Sequence, residues 1–334
     1  TQVTVEIHHS ACDAAGAFRF IEDIFCQYAR QQGTLDTDVR REEVKAELLN
    51  RRGKYGLTPA AWLRIFPKQF WGLTRAWMFF FNRVRPLIPV KVLLDAPKPH
   101  RLFPAAVSKV FDEQETRQIH RRTRDAGLTL NDAALAATFL SMKNFDTCNA
   151  AASAHQAAQA GYWRIAVPTN LRTDGDRLMP AANIVSMVFI DRKTYKITDT
   201  EAFRCGIHRE MQYIKRCHLG LALIHGLRIY RCLFGNFTKM IRRDKCWTTA
   251  TVSNIGVLFD KLPFPKKDGR IQLGDNLELF SVSSVPPIRP QTLLGVCVLT
   301  YANRMSVCVH YDTAVLTQSE AEKLLAGIVN KMAD

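Results

Sequence analysis

The first residues alternate: Val3, Val5 and Ile7 fall on one side and Thr4 and Glu6 on the other, the pattern of a half-buried strand. On such a strand His8 and His9 would point to opposite faces. Beyond Gly16 the period lengthens, and Phe20, Ile21, Ile24, Phe25 and Tyr28 recur at three- and four-residue spacing, predicting an amphipathic helix that Gly33 closes. The charged stretch from Asp36 to Tyr55 predicts a solvent-facing helical connector. From Thr58 to Val90 the chain turns rich in Trp and Phe, broken by Pro67, Pro86 and Pro89, while Arg75, Arg83 and Arg85 interrupt its apolar runs and argue against a membrane-spanning helix. An amphipathic helix pair packed on a core, a segment lying in a membrane interface and an apolar lid all fit this stretch, and the flanking arginines favour a lid or interfacial role for Trp77 to Phe81.

After Pro104 the pattern becomes strand, helix, helix, strand. Val107 and Phe111 mark a strand, Asp112 caps a charged helix running to about Asp125, and Asn131 caps a second, Ala-rich helix. Cys148 to Gly161 is a small-residue linker. Strands are predicted at Trp163–Val167, Ile184–Ile190 and Thr248–Ser253, helices from Thr200 to Cys217 and from Leu219 to Ile241. Leu293–Tyr301 and Met305–Tyr311 pair across Ala302-Asn303-Arg304 as a hairpin, and a helix from Gln318 to Met332 ends the chain. No repeats occur.

Composition narrows the class. With 334 residues and 47% hydrophobic content the chain can bury a sizeable core and is not of a disordered type. Its nine cysteines form no C-x-x-C pair and sit in apolar or helical contexts, which reads as reduced, buried thiols in a cytoplasmic protein. The net charge of +15 suits a solvated basic surface, an anionic membrane surface or phosphate-bearing ligands. The basic pairs Arg40-Arg41, Arg51-Arg52, Arg121-Arg122, Arg242-Arg243 and Lys266-Lys267 lie in separate elements, so no nucleic-acid module is expected.

Candidate chemistry concentrates in HHSACDAAG, His8 to Gly16, placed where the strand turns into the helix. A single histidine beside apolar residues is an ordinary core or surface group. A metal site built from His8, His9 and Asp13 is disfavoured, because adjacent strand residues diverge and no second His/Cys cluster stands near; no metal is expected. A neutral imidazole with an ordinary pKa of about 6.5 is a competent base, and Asp13 would brace the turn that carries it.

HHSACDAAG resembles the HHxxxDG motif of acyltransferases sharing the chloramphenicol acetyltransferase fold, a group that includes nonribosomal peptide synthetase condensation domains and bacterial wax ester synthase/diacylglycerol acyltransferases. Three further stretches follow in that family's order: GLTLNDAALAATFLSM (Gly127 to Met142) resembles its "NDvvLAa" helix, WRIAVPTNLR (Trp163 to Arg172) its "vPvNLR" strand, and TVSNIG (Thr251 to Gly256) its late "SNxG" segment. The resemblance implies an α/β, two-subdomain mixed-sheet sandwich. The remainder of the N-terminal subdomain would occupy 1–150, with an inserted helical region at 58–90, and the C-terminal subdomain 151–334.

It further implies that His9 is the general base in a tunnel between the subdomains, acting on an alcohol or amine acceptor. The acyl donor would be acyl-coenzyme A or an acyl carrier protein, as substrate rather than bound cofactor. Asp13 is then structural and paired with an arginine not identifiable from sequence, His8 is a packing or turn residue, and Ser253 and Asn254 either line the tunnel or oxyanion site or make buried structural hydrogen bonds. The alternative is a non-catalytic binding or interaction protein of the same fold. Two departures bear on this choice. Ala14 stands where the family has Gly, with Gly16 offering room nearby, and the strands and helices that the resemblance implies ahead of the motif are expected to be lacking from this chain. The expectation is a companion N-terminal polypeptide or missing segment, an exposed apolar surface where it would pack, and a location in the cytoplasm with membrane-surface contact left open.

Overall fold

The computed structural model describes residues 1–33, 44–51, 58–88, 105–152, 161–235, 245–274, 276–289 and 291–333. A six-stranded mixed sheet organises them, made of β1 (Ala106–Val110), β2 (Tyr162–Asn170), β3 (Val185–Lys193), β4 (Ala250–Val257), β8 (Leu294–Tyr301) and β9 (Arg304–Tyr311). Their order across the sheet is β1-β9-β8-β4-β2-β3. The neighbours β2/β4 and β4/β8 run parallel and the other pairs antiparallel. A small sheet of β5 (Lys266–Lys267), β6 (Arg270–Gly274) and β7 (Leu277–Glu278) follows β4; the sequence pattern did not predict it.

Every residue of β8 is buried, because both faces of the sheet are covered. Leu294, Val296 and Val298 point into the main core. That core is shared with α3 (Glu113–Asp125), α4 (Leu130–Ala152), α5 (Glu201–Arg216) and α7 (Gln318–Ala333). Leu299 and Tyr301 point the other way, into a second core with Phe259, β6 and α1 (Ala14–Gln31). The hairpin turns through left-handed Ala302 and Asn303 (φ 49° and 60°), a geometry that suits a two-residue connection between twisted strands.

Local signals place most helices where the sequence does. Asp112 caps α3 in a reciprocal box with Glu115. On α4 the cap is not Asn131: Thr129 exchanges hydrogen bonds with Asp132, whose carboxylate also bonds His208 Nδ1 at 2.7 Å. Of the charged connector, Ala46–Arg51 is a 3-10 helix and 34–43 and 52–57 lie outside the described residues. So do 153–160 of the linker, 89–90 of the Trp/Phe-rich stretch and 236–244, which include Arg242 and Arg243. Two further helices, α2 (Pro59–Phe81) and α6 (Gly220–Phe234), pack together, and α2 runs straight through Pro67.

One expectation is corrected. Residues 1–8 form no strand: Val3 and Val5 are 81% and 42% exposed, because alternation makes a strand only where a neighbour accepts the ladder. Together with Phe20, Ile24 and Tyr28 on α1 they leave the anticipated apolar surface exposed. Within Trp77 to Phe81 the one described side chain is Phe79, and the lid or interfacial reading of the other four lies outside the described side chains. Phe79 stacks on Trp247 (ring centroids 5.1 Å apart) and packs at a tilt on Phe189 (4.5 Å), with the Arg164 guanidinium 4.5 Å above its ring.

Arg164 is 1% exposed and makes a two-pronged pair with Asp191, both contacts at 2.7 Å, while Asn82 donates to the same carboxylate. Removing Asp191 leaves a buried, unpaired cation. Asp191→Ala should therefore lose about 3 kcal/mol of stability in denaturant unfolding, whereas Arg164→Met with Asp191→Leu should lose clearly less; equal losses would mean that the charges do not matter there.

Candidate active site

The turn His8-His9-Ser10-Ala11 is closed by the Ala11 amide donating to His8 O at 2.8 Å, and His8 Nδ1 lies 2.7 Å from Ser10 Oγ. The two histidines are thus separated by a turn and not by the pleat of a strand, and both are exposed. Asn183 reaches His9 from the β2–β3 connection: its Nδ2 donates to His9 O at 2.6 Å and lies 3.4 Å from His9 Nδ1. Among the described residues none bonds His9 Nε2, and the residue is exposed.

Asp13 is the anchor. It is 5% exposed and caps α1, with Oδ1 accepting from the Gly16 amide at 2.9 Å. Oδ2 accepts from the Ile184 amide at 2.7 Å and from Arg172 Nη1 at 2.8 Å. Arg172 also donates to Ala182 O at 2.7 Å and lies 3.3 Å from Asn170 Oδ1. The arginine that sequence reasoning could not place is therefore the last residue of the VPTNLR stretch. Its signal was in the sequence, in a motif read for another purpose. Engaged by an arginine and two amides, and with no hydrogen bond to either histidine among the described residues, the Asp13 carboxylate is placed as a brace.

Gly16 explains how the turn tolerates Ala14. Ala14 is exposed at the start of α1, whereas a Cβ on Gly16 would stand 2.7 Å from Ala182 O and 2.9 Å from both Ala182 N and Cys12 Cβ. Close backbone approach is needed at Gly16.

Ser253 and Asn254 lie on β4 and make no hydrogen bond to the turn. Asn254 Oδ1 accepts from the Gly256 amide at 3.0 Å, across the bulge where β4 slips its register on β8. Ser253 is half-buried. The ladder between β2 and β4 is only Ile165–Ala250 and Ala166–Thr251; beyond it β2 follows β3 and β4 follows β8. The two parallel strands thus separate toward their carboxyl ends. The helix α1 links the two sides: its first turn is fastened to 182–184, and Phe18 and Phe25 pack edge-on to Phe259 beyond β4, with ring centroids 5.8 and 5.6 Å apart.

The remaining chemistry lies apart from this turn. A cavity of about 330 Å³ is lined by Leu128, Asp199, Thr200, Arg204 and Cys205, from other elements than those holding His9. Among the described residues no group of His, Cys, Asp and Glu side chains could hold a metal ion. Burial pushes the Cys246 and Cys297 thiols up to about 12 and Cys308 up to about 11, so these sulfurs stay protonated.

The fold so described is that of condensation domains and chloramphenicol acetyltransferase-like proteins. Among solved structures the chain is similar to the epimerization domain from the third module of tyrocidine synthetase B (TM-score 0.58, 13% identity, covering 98% of this chain and 67% of that one). It is similar also to the trichothecene 15-O-acetyltransferase from Fusarium sporotrichioides (0.59, 14%, 96% and 63%) and to the first condensation domain of the CDA synthetase (0.55, 12%, 98% and 62%). The chain thus spans about two thirds of the length of these structures. No sequence-family model and no curated protein matches it.

Because Asp13 is buried and holds a cation, Asp13→Asn should cost about 3 kcal/mol in unfolding experiments. Gly16→Ala should cost about 1–3 kcal/mol through the clash with Ala182. Full stability in Asp13→Asn would show that the carboxylate is not a brace.

Proposed function

We propose that the chain is an acyltransferase that moves an acyl group from a thioester donor, acyl-coenzyme A or an acyl carrier protein, to a hydroxyl or amine. The observation that carries this reading is the His9 turn: an exposed imidazole on a backbone locked by Asp13, Arg172 and Asn183. The four stretches that resemble the acyltransferase family support it, and so does the fold. The similar structures bear names of three different reactions, so the fold alone does not choose among them.

In this mechanism His9 accepts the proton of the acceptor O–H or N–H as that atom attacks the thioester carbonyl carbon. The tetrahedral intermediate collapses with cleavage of the C–S bond, and the thiolate takes the proton from the imidazolium. The products are an ester or amide and a free thiol, with no acyl-enzyme. Base catalysis of this kind contributes about 10²–10⁴ in rate, and holding both substrates in line adds to it. Ser253 and Asn254, on β4 where it leaves β2, are assigned to the lining of the substrate path. Ser253 Oγ and Asn254 Nδ2 are the groups that would donate to a developing oxyanion, while Asn254 Oδ1 accepts from the Gly256 amide.

The second reading, a non-catalytic interaction protein, is favoured by the exposure of His9 and by the Ala at position 14. Thiol release from acyl-coenzyme A and from acyl carrier protein, with panels of alcohols and amines, separates the two. In an active preparation His9→Ala should lower turnover at least about a hundredfold with an unchanged melting transition, and His8→Ala far less. Equal loss in both would remove His9 as the base, and no thiol release from the folded protein with either donor would favour the interaction reading.

A further inference from the structure

The helices α2 and α6 lie antiparallel. Gly72 is pressed against Leu219 and Ala222, where an added Cβ would stand 2.7 and 3.2 Å from their side chains, and Trp62 meets His225 edge-on with ring centroids 5.0 Å apart. Gln69 Nε2 donates to the last carbonyls of α5 and its turn, Cys217 O at 2.7 Å and His218 O at 2.9 Å. The inward side of α2 is thereby occupied by Ile65, Gln69 and Gly72, all buried.

Its outward side carries Leu63, Phe66 and Phe70, spaced three and four residues apart and 81%, 65% and 62% exposed. With the inner face fixed, this stripe has no packed position to turn into. The antiparallel arrangement brings the start of α2 to the later part of α6, where Ile229 and Leu233 are 48% and 70% exposed. The exposed cations Arg64, Lys68 and Arg231 flank these side chains, and neither helix contains a single Asp or Glu.

We infer that this end of the α2/α6 pair docks on an anionic lipid surface, with the apolar stripe seated among the acyl chains near the headgroups and the cations on lipid phosphates. Long apolar side chains bordered only by cations complement a surface that is negative outside and apolar beneath. A second copy of the chain, itself at +15, offers no opposite charge. Among the described residues no helix is long and apolar enough to cross a membrane, so the mode is docking and not spanning. At its other end α6 starts at Gly220, packed on Thr169 and Leu171 beside Arg172. One helix of 15 residues, roughly 22 Å long, therefore links the docking end to the His9 turn. On the acyltransferase reading, which this last step rests on, lipid-partitioned substrates become the natural class; lipid docking itself does not depend on catalysis.

The test is flotation with phosphatidylcholine vesicles and with vesicles containing about a third phosphatidylserine, at low and high salt. The wild-type chain should bind the phosphatidylserine vesicles at low salt and the neutral ones much less. Arg64→Gln with Lys68→Gln should weaken binding about twenty-five-fold, at about fivefold per cation, and Phe66→Ser with Phe70→Ser should also weaken it, each variant keeping its melting transition. Arg117→Gln with Arg121→Gln on α3 removes the same charge from exposed positions elsewhere and should change binding little. Absence of low-salt binding overturns the inference. So does equal weakening by the α3 pair, which would assign binding to net charge, or a wild-type dimer that the Phe66/Phe70 variant abolishes, which would assign the stripe to self-association.

Discussion

One buried carboxylate fixes the geometry on which the candidate site depends. Asp13 joins three pieces of chain that are far apart in sequence: its own helix through the Gly16 amide, the β2–β3 connection through the Ile184 amide, and the end of β2 through Arg172. A carboxylate removed from water is tolerated only when its oxygens are paired, and here an arginine and two amides pair them. The requirement runs in both directions, because Arg172 would otherwise face the same environment without a counter-charge. His9 stands four residues before this clamp, so its backbone is positioned by the demand of Asp13 for partners and by Asn183, and not by regular secondary structure.

Much of the architecture was legible because local signals and burial agree. The Asp112 cap, the period of α1 and the Ala302-Asn303 turn each specify a conformation by themselves, and tertiary packing needed only to accept them. Failures fell where a partner decides. Val3 to Ile7 alternates like a strand but meets no ladder, and Phe79, bracketed by arginines, reads as interfacial until Arg164 folds over it. Thr129 displaced Asn131 as the α4 cap because its hydroxyl and amide both find the Asp132 carboxylate, which His208 then ties to α5. In the site itself the motif residues could be read, while Arg172 and Asn183 could not be assigned, since no spacing rule connects position 13 to 172 or position 9 to 183.

The exchange of glycine for alanine within the motif shows how a local departure can leave a geometry intact. What the turn needs is one residue without a Cβ against the Ala182 backbone, and Gly16, two residues after Ala14, meets that need. Ala14 itself is exposed and opens α1, where alanine is a good helix former. The departure therefore bears on what approaches the turn from outside, and not on whether the turn forms.

The mixed sheet gives this clamp its larger consequence. After two paired residues β2 and β4 separate, one following its antiparallel neighbour β3 and the other its parallel neighbour β8. The element that links the two sides is α1, held at its start by Asp13 and along its length by Phe18 and Phe25 against Phe259. The same helix thus contributes to the second core and carries the candidate turn at its start. On the reading proposed here, the base is placed by this one packing event, which is why a brace with no chemistry of its own stands beside the histidine that has it.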